Sequence, residues 1–360
     1  MKSYLVGGAV RDGLLGIIPK ERDWLVVGAS EEEMLAQGFG RADAEFPVFL
    51  HPDSGEEYAL ARVETKNGSG YKGFKVDASP EVTLEQDLQR RDFTINAMAR
   101  DEDDNLIDPL NGQQDLDDKL IRHISPAFTE DPLRVLRAAR FAARLDFSIA
   151  AETMVLLKQM ASSGELSTIK PERTWQELLD AVTGKAPWRF FMVLQECGAL
   201  RELNFPFTDV ALAVASLNMA VTLTESPLVR VVAVLYQAGG AKALEKALRL
   251  PNEYIWMLDT IVAHAADIES VSEGDARAAL RLITELRAEQ QPERWEQFLL
   301  ASSAIWPELM LRAVPNLSKA IQAIGSVSAV DLQQQGLSGK ELGEELKRLR
   351  LEAVRSSLSC

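Results

Sequence analysis

Hydrophobic positions in this chain follow two different rhythms. Over the first 110 residues they come in short runs broken by glycine or charge; residues 3–6 and 24–27 read as buried strands with a helix over 9–15 between them. Residues 57–63 and 106–108 are further strand candidates. Between them, 65–80 (TKNGSGYKGFKVDASP) is polar and carries three glycines and three lysines, the composition of a mobile loop. From Thr129 the apolar residues recur at helical spacing. TEDPLRVLRAARFAARL predicts a helix capped by Thr129 with acids in its first turn. Helices are predicted over 151–163, 171–184 and 187–197. The remainder is almost wholly helical in pattern, with breaks at Pro206 and Pro227. The expected architecture is an α/β head followed by an all-α remainder.

A length of 360 residues, 46% of them apolar and 26% charged, fits two or more packed globular units. No run of about 18 apolar residues is present to cross a membrane. The first residues reach glycine and charge too early for a secretory signal. The two cysteines, Cys197 and Cys360, have neither metal nor disulfide spacing, and a reducing cytoplasm is the expected compartment. The net charge of −15 weighs against broad phosphate attraction, so any nucleic-acid surface has to be local.

Three clusters carry candidate chemistry. Leu5-Val6-Gly7-Gly8-Ala9-Val10-Arg11-Asp12 is a strand, a double glycine and a helix start bearing an arginine, a form that suits an anion as well as a plain tight turn. Glu21 and Asp23, two apart before WLVVG, would face one side of a strand. Such a pair holds a divalent cation, or is simply two solvated charges. Asp87-Leu88-Gln89-Arg90-Arg91-Asp92-Phe93-Thr94-Ile95-Asn96-Ala97 supplies Arg91 and Asn96 for phosphate or ribose, or a surface ion pair to Asp87 or Asp92. Together they form the set that phosphoryl transfer needs: acids for Mg²⁺ beside donors for a triphosphate.

GGAVRD, the spaced acids before WLVVG, RRDFTINA, IDPLNG and EDPLRVLRAARF stand in the order seen in bacterial class II tRNA nucleotidyltransferases. The chain resembles that family from residue 1 to about 200, and more weakly in its tail. The resemblance implies an α/β polymerase-β-like nucleotidyltransferase head (1–125), a helical neck (126–204) and an all-α body and tail (205–360). It implies Gly8 and Arg11 at the triphosphate, Arg91 at phosphate or ribose, and Glu21 and Asp23 as catalytic Mg²⁺ ligands. Glu21 departs from the usual aspartate and is one methylene longer, against a demanding octahedral ion. The implied substrates are tRNA, CTP and ATP; no membrane is involved, and oligomeric state is left open.

The resemblance also makes Asp131 and Arg134 the readers of the incoming base, with Arg137 and Arg140 contacting nucleotide further along. Chemically the pair suits its targets. Cytosine and adenine each present an amine donor beside a ring-nitrogen acceptor, matching a carboxylate and a guanidinium. Uracil and guanine reverse that pattern and meet repulsion. A spacing of three predicts that the two share a helix face, where a solvent-exposed ion pair is the alternative. Pro171-Glu172-Arg173-Thr174-Trp175-Gln176-Glu177 resembles the next neck motif and is expected to brace this helix.

Many relatives carry a His-Asp phosphohydrolase domain in the C-terminal half. Here Tyr236 and Gln237 stand at the expected pair, and only His264 of three histidines lies beyond residue 200, so that activity is not expected. Near the end, Lys340, Lys347, Arg348, Arg350 and Arg355 outnumber four glutamates and read as a locally basic tail for the tRNA. The loop at 65–80 is expected to serve the switch from C to A addition. The rival readings are a CC-adding or A-adding partial enzyme, a poly(A) polymerase and a non-catalytic tRNA-binding protein.

Overall fold

A computed structural model of the chain describes residues 1–19, 21–42, 46–66 and 74–359. Two units divide it, Met1–Leu203 and Asn204–Cys360. The first begins with β1 (Lys2–Val6), α1 (Gly8–Leu14), β2 (Asp23–Val27) and α2 (Glu31–Ala36). Next come β3 (Gly40–Arg41), β4 (Val48–Leu50), β5 (Glu57–Leu60), β6 (Val63–Lys66) and β7 (Phe74–Asp77). Then follow α3 (Leu84–Gln89), β8 (Ala99–Arg100), β9 (Leu106–Ile107) and α4 (Gly112–Asp117).

Seven of these strands form one sheet in the order β3-β4-β5-β2-β1-β8-β9. The β2–β5 pair is parallel and its neighbours antiparallel. Alternation along β2 sends Leu25 and Val26 to opposite faces. Leu25 joins Val6, Leu84, Leu88 and Ala99 in one core, and Val26 joins Met34, Phe39, Phe49 and Leu60 in another. The helices that cover these cores start where the sequence caps them. Ser30 and Glu33 form a capping box on α2, as Thr83 and Gln86 do on α3.

Two predicted elements change. The strand expected over 57–63 is two strands, because the chain leaves the sheet after Leu60 and the Arg62 N–H donates to Asp87 Oδ1 (3.3 Å). β6 then pairs with β7 as a separate antiparallel hairpin, from Val63 opposite Asp77 to Lys66 opposite Phe74. The polar stretch read as a loop is therefore extended at both ends, while 67–73 lie outside the described residues. The helix expected from Thr129 starts later. Pro126–Glu130 is a 3₁₀ turn and Asp131 is extended (φ −115°, ψ 106°), as suits a residue before proline. Thr129 Oγ1 donates to the Pro126 carbonyl (3.0 Å) instead of capping.

β10 (Leu120–Ile121) precedes α5 (Leu133–Leu145), and β11 (Ser148–Ile149) follows it as a parallel partner of β10. Then come α6 (Ala151–Ser162), α7 (Pro171–Val182), α8 (Trp188–Glu196) and α9 (Ala199–Glu202). Helix α5 packs against α7 and α8. Ala138, Ala139, Ala142 and Ala143 are fully buried, as are Leu178, Phe190 and Phe191. Small residues on α5 let the helices approach closely, which leaves its arginines to the other face.

The second unit is helical throughout its described residues, from Val210–Leu223 to Gly339–Leu358. Tyr236 packs edge-on against Trp306 (4.9 Å), and His264 Nδ1 lies 2.9 Å from Asp267. On the tail helix, two of the five basic residues are paired with glutamates. Arg348 is bound by Glu345 and Glu352, and Lys340 pairs with Glu344, so neighbours one turn away neutralise these charges. Among the described residues no helix is long and apolar enough to cross a membrane.

Candidate active site

A cavity of about 1260 Å³ opens in the first unit, and all nine candidate site residues line it: Gly8, Arg11, Glu21, Asp23, Arg91, Asp131, Arg134, Arg137 and Arg140. Arg62, Arg90, Arg144 and Arg173 line it too, against the carboxylates of Asp12, Glu21, Asp23, Asp92, Asp131 and Asp180. Nine arginines against six acids make the cavity cationic inside a chain of net charge −15. This local reversal is what an anionic substrate requires.

The glycine turn sits at one wall. Gly7 has φ +67°, and a Cβ there would come within 2.9 Å of Arg91 Nη1. Gly8 is the first residue of α1 and would have only an ordinary contact with Arg11, so the conformational demand falls on Gly7. Arg11 is 3% exposed. Its Nε donates to Asp12 Oδ1 (2.8 Å) and its Nη1 to Asn96 Oδ1 (2.6 Å). Burial holds its pKa below the usual arginine value, against the pull of Asp12.

Asn96 is the hub of the RRDFTINA segment. Its Oδ1 accepts from Arg11, its Nδ2 donates to Asp92 Oδ1 (3.0 Å), and its carbonyl accepts from Arg91 Nη1 (3.2 Å). Asp92 Oδ2 in turn accepts from Arg137 Nε and Nη2 (2.8 and 2.6 Å). Asp87, fully buried, accepts from both Arg90 and Arg91. Burial alone would raise these two carboxyls, but their arginines outweigh it and hold both below the usual carboxylate range. Asp92 likewise holds Arg137 above the usual arginine value despite burial. The ion pairs of this segment are thus interior clamps rather than surface pairs.

Glu21 lies just before β2 and Asp23 is its first residue, so Glu21 is not part of the strand that the spacing predicts. Both nevertheless line the cavity. Burial raises the Asp23 carboxyl, Glu21 raises it further, and Arg91 opposes. Asp131 and Arg134 do not share a helix face, because Asp131 precedes α5. Asp131 Oδ1 accepts from the Leu133 N–H (3.0 Å). Arg134 donates to the carbonyls of Ala127 and Arg90 (3.2 and 3.0 Å) and lies over Phe128. Arg140 donates to Glu177 Oε2 (2.6 Å) and stacks on Phe141, so the Pro171 segment does brace α5.

IDPLNG builds no part of the lining. Asp108 accepts from the Gly112 and Gln113 N–H groups (2.7 and 2.9 Å), and a Cβ at Gly112 would stand 2.3 Å from the Thr94 carbonyl oxygen. The motif clips α4 against the turn that carries Asn96. Arg62, Arg144 and Asp180 were not singled out by sequence reasoning, and Arg173 only within the motif expected to brace α5. For Arg144 the signal is the continued arginine stripe of α5.

Two family patterns match the chain: the poly A polymerase head domain over residues 3–122, and the probable RNA and SrmB-binding site of polymerase A over 146–212. A CCA-adding enzyme of Pseudomonas putida is 46% identical, with 98% of each chain covered. One of Coxiella burnetii is 43% identical over all of this chain and 96% of its own length. Among solved structures, the Thermotoga maritima CCA-adding enzyme complexed with tRNA superposes with a TM-score of 0.68 at 22% identity, over 99% of this chain and 91% of that one.

Proposed function

Since this chain belongs to the CCA-adding enzymes, a family of tRNA nucleotidyltransferases, we propose that the arginine-lined cavity of its first unit is where the reaction occurs. The protein adds C, C and A to the 3′ end of tRNA from CTP and ATP, without a nucleic-acid template. The observation that carries the assignment of the site is the convergence of residues from four separated motifs on one cationic cavity. In this reading residues 1–125 are the catalytic head, 126–204 the neck that reads the base, and 205–360 the body and tail that hold tRNA. A tRNA substrate and a buried free Cys197 accord with a cytoplasmic location.

The family depends on a divalent metal, which we take to be Mg²⁺. Glu21 and Asp23 fit such an ion: two carboxylates at the cavity wall, with burial and the neighbouring Glu21 both disfavouring the charge on Asp23 until a cation offsets it. They would hold Mg²⁺, whose chemistry is to acidify the tRNA 3′-hydroxyl and offset charge at the α-phosphate. Arg91 lies beside Gly7 and Asn96, placed for phosphate or ribose oxygens. Asp131 has Oδ2 left to accept from the exocyclic amine of cytosine or adenine. Each terminal nitrogen of Arg134 carries two hydrogens, and one from each goes to a carbonyl. The spare hydrogens serve the ring nitrogen.

The test is purified protein with tRNA ending at the discriminator base, Mg²⁺ and each labelled NTP singly and together. The expected result is two C and one A, with UTP and GTP rejected. A stall at CC with ATP present, or repeated A addition, overturns the reading.

A further inference from the structure

Arg11 is the arginine that the family resemblance brings to the triphosphate, yet every nitrogen of its guanidinium has a partner. Nε and Nη2 meet Asp12 Oδ1 at 2.8 and 2.7 Å, and Nη1 meets Asn96 Oδ1 at 2.6 Å. Phe141 covers it at 5.1 Å. Three of its five N–H bonds are thus spent inside the fold and the residue is 3% exposed, so Arg11 offers a ligand less than an open arginine would.

The other oxygen of the same carboxylate accepts from Arg144 Nη2 at 3.1 Å. Arg144 lines the cavity and its side chain is 42% exposed, the most open of the paired arginines on α5. One turn earlier Arg140 is buried on Glu177. Here three guanidinium groups (Arg11, Arg140, Arg144) share two carboxylates (Asp12, Glu177). Arg140 and Arg144 both press on Arg11 electrostatically. Asp180, also at the cavity, accepts from Gln176 Nε2 (3.1 Å). The surplus positive charge is presented to the cavity on the arginine best able to reach a ligand.

We infer that Arg144, oriented by Asp12, contacts the terminal phosphates of the incoming nucleoside triphosphate, the portion that leaves as pyrophosphate. An arginine fork fixed at one nitrogen and open at the others matches phosphate oxygens and is already oriented when nucleotide arrives. Asp12 thus serves two arginines at once, packing Arg11 and aiming Arg144. The assignment rests on the nucleotidyltransferase reading of the cavity and adds to it a residue and a division of labour.

The experiment measures equilibrium binding of CTP, CMP and pyrophosphate, with Mg²⁺, to the full chain and to Arg144→Gln and Arg144→Lys. Losing a charge-assisted contact at a half-exposed site should weaken CTP and pyrophosphate about tenfold. CMP, which lacks those phosphates, should bind unchanged, and Arg144→Lys, whose single nitrogen cannot meet Asp12 and phosphate as a fork does, should recover only part of the loss. The KM for tRNA and the melting temperature should stay at wild-type values. Equal binding of all three ligands to wild type and Arg144→Gln overturns the inference. So does a defect confined to the KM for tRNA, which assigns Arg144 to the RNA backbone, or an equal loss for CMP, which marks general damage. Wild-type protein that binds none of the three removes the nucleotidyltransferase reading as well.

Discussion

Replacing Asp92 with asparagine tests whether the arginines of the cavity are held by the interior or only gathered there. The carboxylate accepts four hydrogen bonds: two from Arg137, one from Asn96 Nδ2 and one from the Phe93 N–H. Asparagine keeps the acceptor facing Asn96 and Phe93. It turns an amide against Arg137, where two charge-assisted bonds stood. Bonds to charged groups contribute roughly 1.5–3 kcal/mol each. Arg137 keeps 33% of its side chain exposed and can recover water from the cavity, so the full sum does not apply. A net loss of about 3 kcal/mol is expected, or roughly 6–12 °C in the melting of a unit this size. Calorimetry that resolves the first unit's transition is the assay, run beside CTP incorporation, where KM should rise more than kcat falls. A variant that melts within about a degree of wild type, with unchanged KM, would mean the clamp contributes nothing.

Asp23→Ala should abolish incorporation while tRNA binding in a filter assay stays near wild type; a retained rate above a few per cent removes Asp23 from the metal site. Glu21→Asp should preserve or raise the single-turnover rate and Glu21→Ala should destroy it, whereas indifference to both would show that this position binds no metal. Gly7→Ala forces a left-handed residue with a Cβ 2.9 Å from Arg91 Nη1, and should cost about 1–2 kcal/mol in backbone strain alone. It should raise the KM for CTP, and normal kinetics would refute the close approach. Asp87 and Asp92 have folded pKa values below their unfolded ones, so their stabilisation is present above about pH 4 and is lost as pH falls through the folded values. Acid titration of melting temperature should therefore fall less steeply for Asp92→Asn than for wild type.

Local spacing revealed the chemistry of this chain better than its geometry. The motifs pointed to nine residues that meet at one cavity, because each motif lies at an element end that faces it. Asp131 and Arg134 do not share a helix face, because Pro132 sets the residue before it to an extended conformation. Glu21 reaches the same cavity as Asp23 from just outside β2, which begins at Asp23. Asn96 could be proposed as a ligand contact from sequence, but not as the hub joining Arg11, Arg91 and Asp92. Those partners lie up to 85 residues away, and no periodicity reports a contact of that range. In the tail, local spacing does report contacts: Lys340 pairs with Glu344, and Arg348 with Glu345 and Glu352, all three or four residues apart on one helix.

Arg134 rests on two main-chain oxygens, those of Ala127 and Arg90. Every amino acid brings a carbonyl, so no single substitution at position 90 or 127 can delete either support. A base-reader propped by side chains would lose its aim to any of several point mutations. One propped by the backbone loses it only when the chain itself moves. With Arg134 in the base-reading role proposed above, this puts the aim of the reading edge largely beyond the reach of mutation at the residues that support it, leaving Arg134 itself and the path of the backbone as the places where errors would enter.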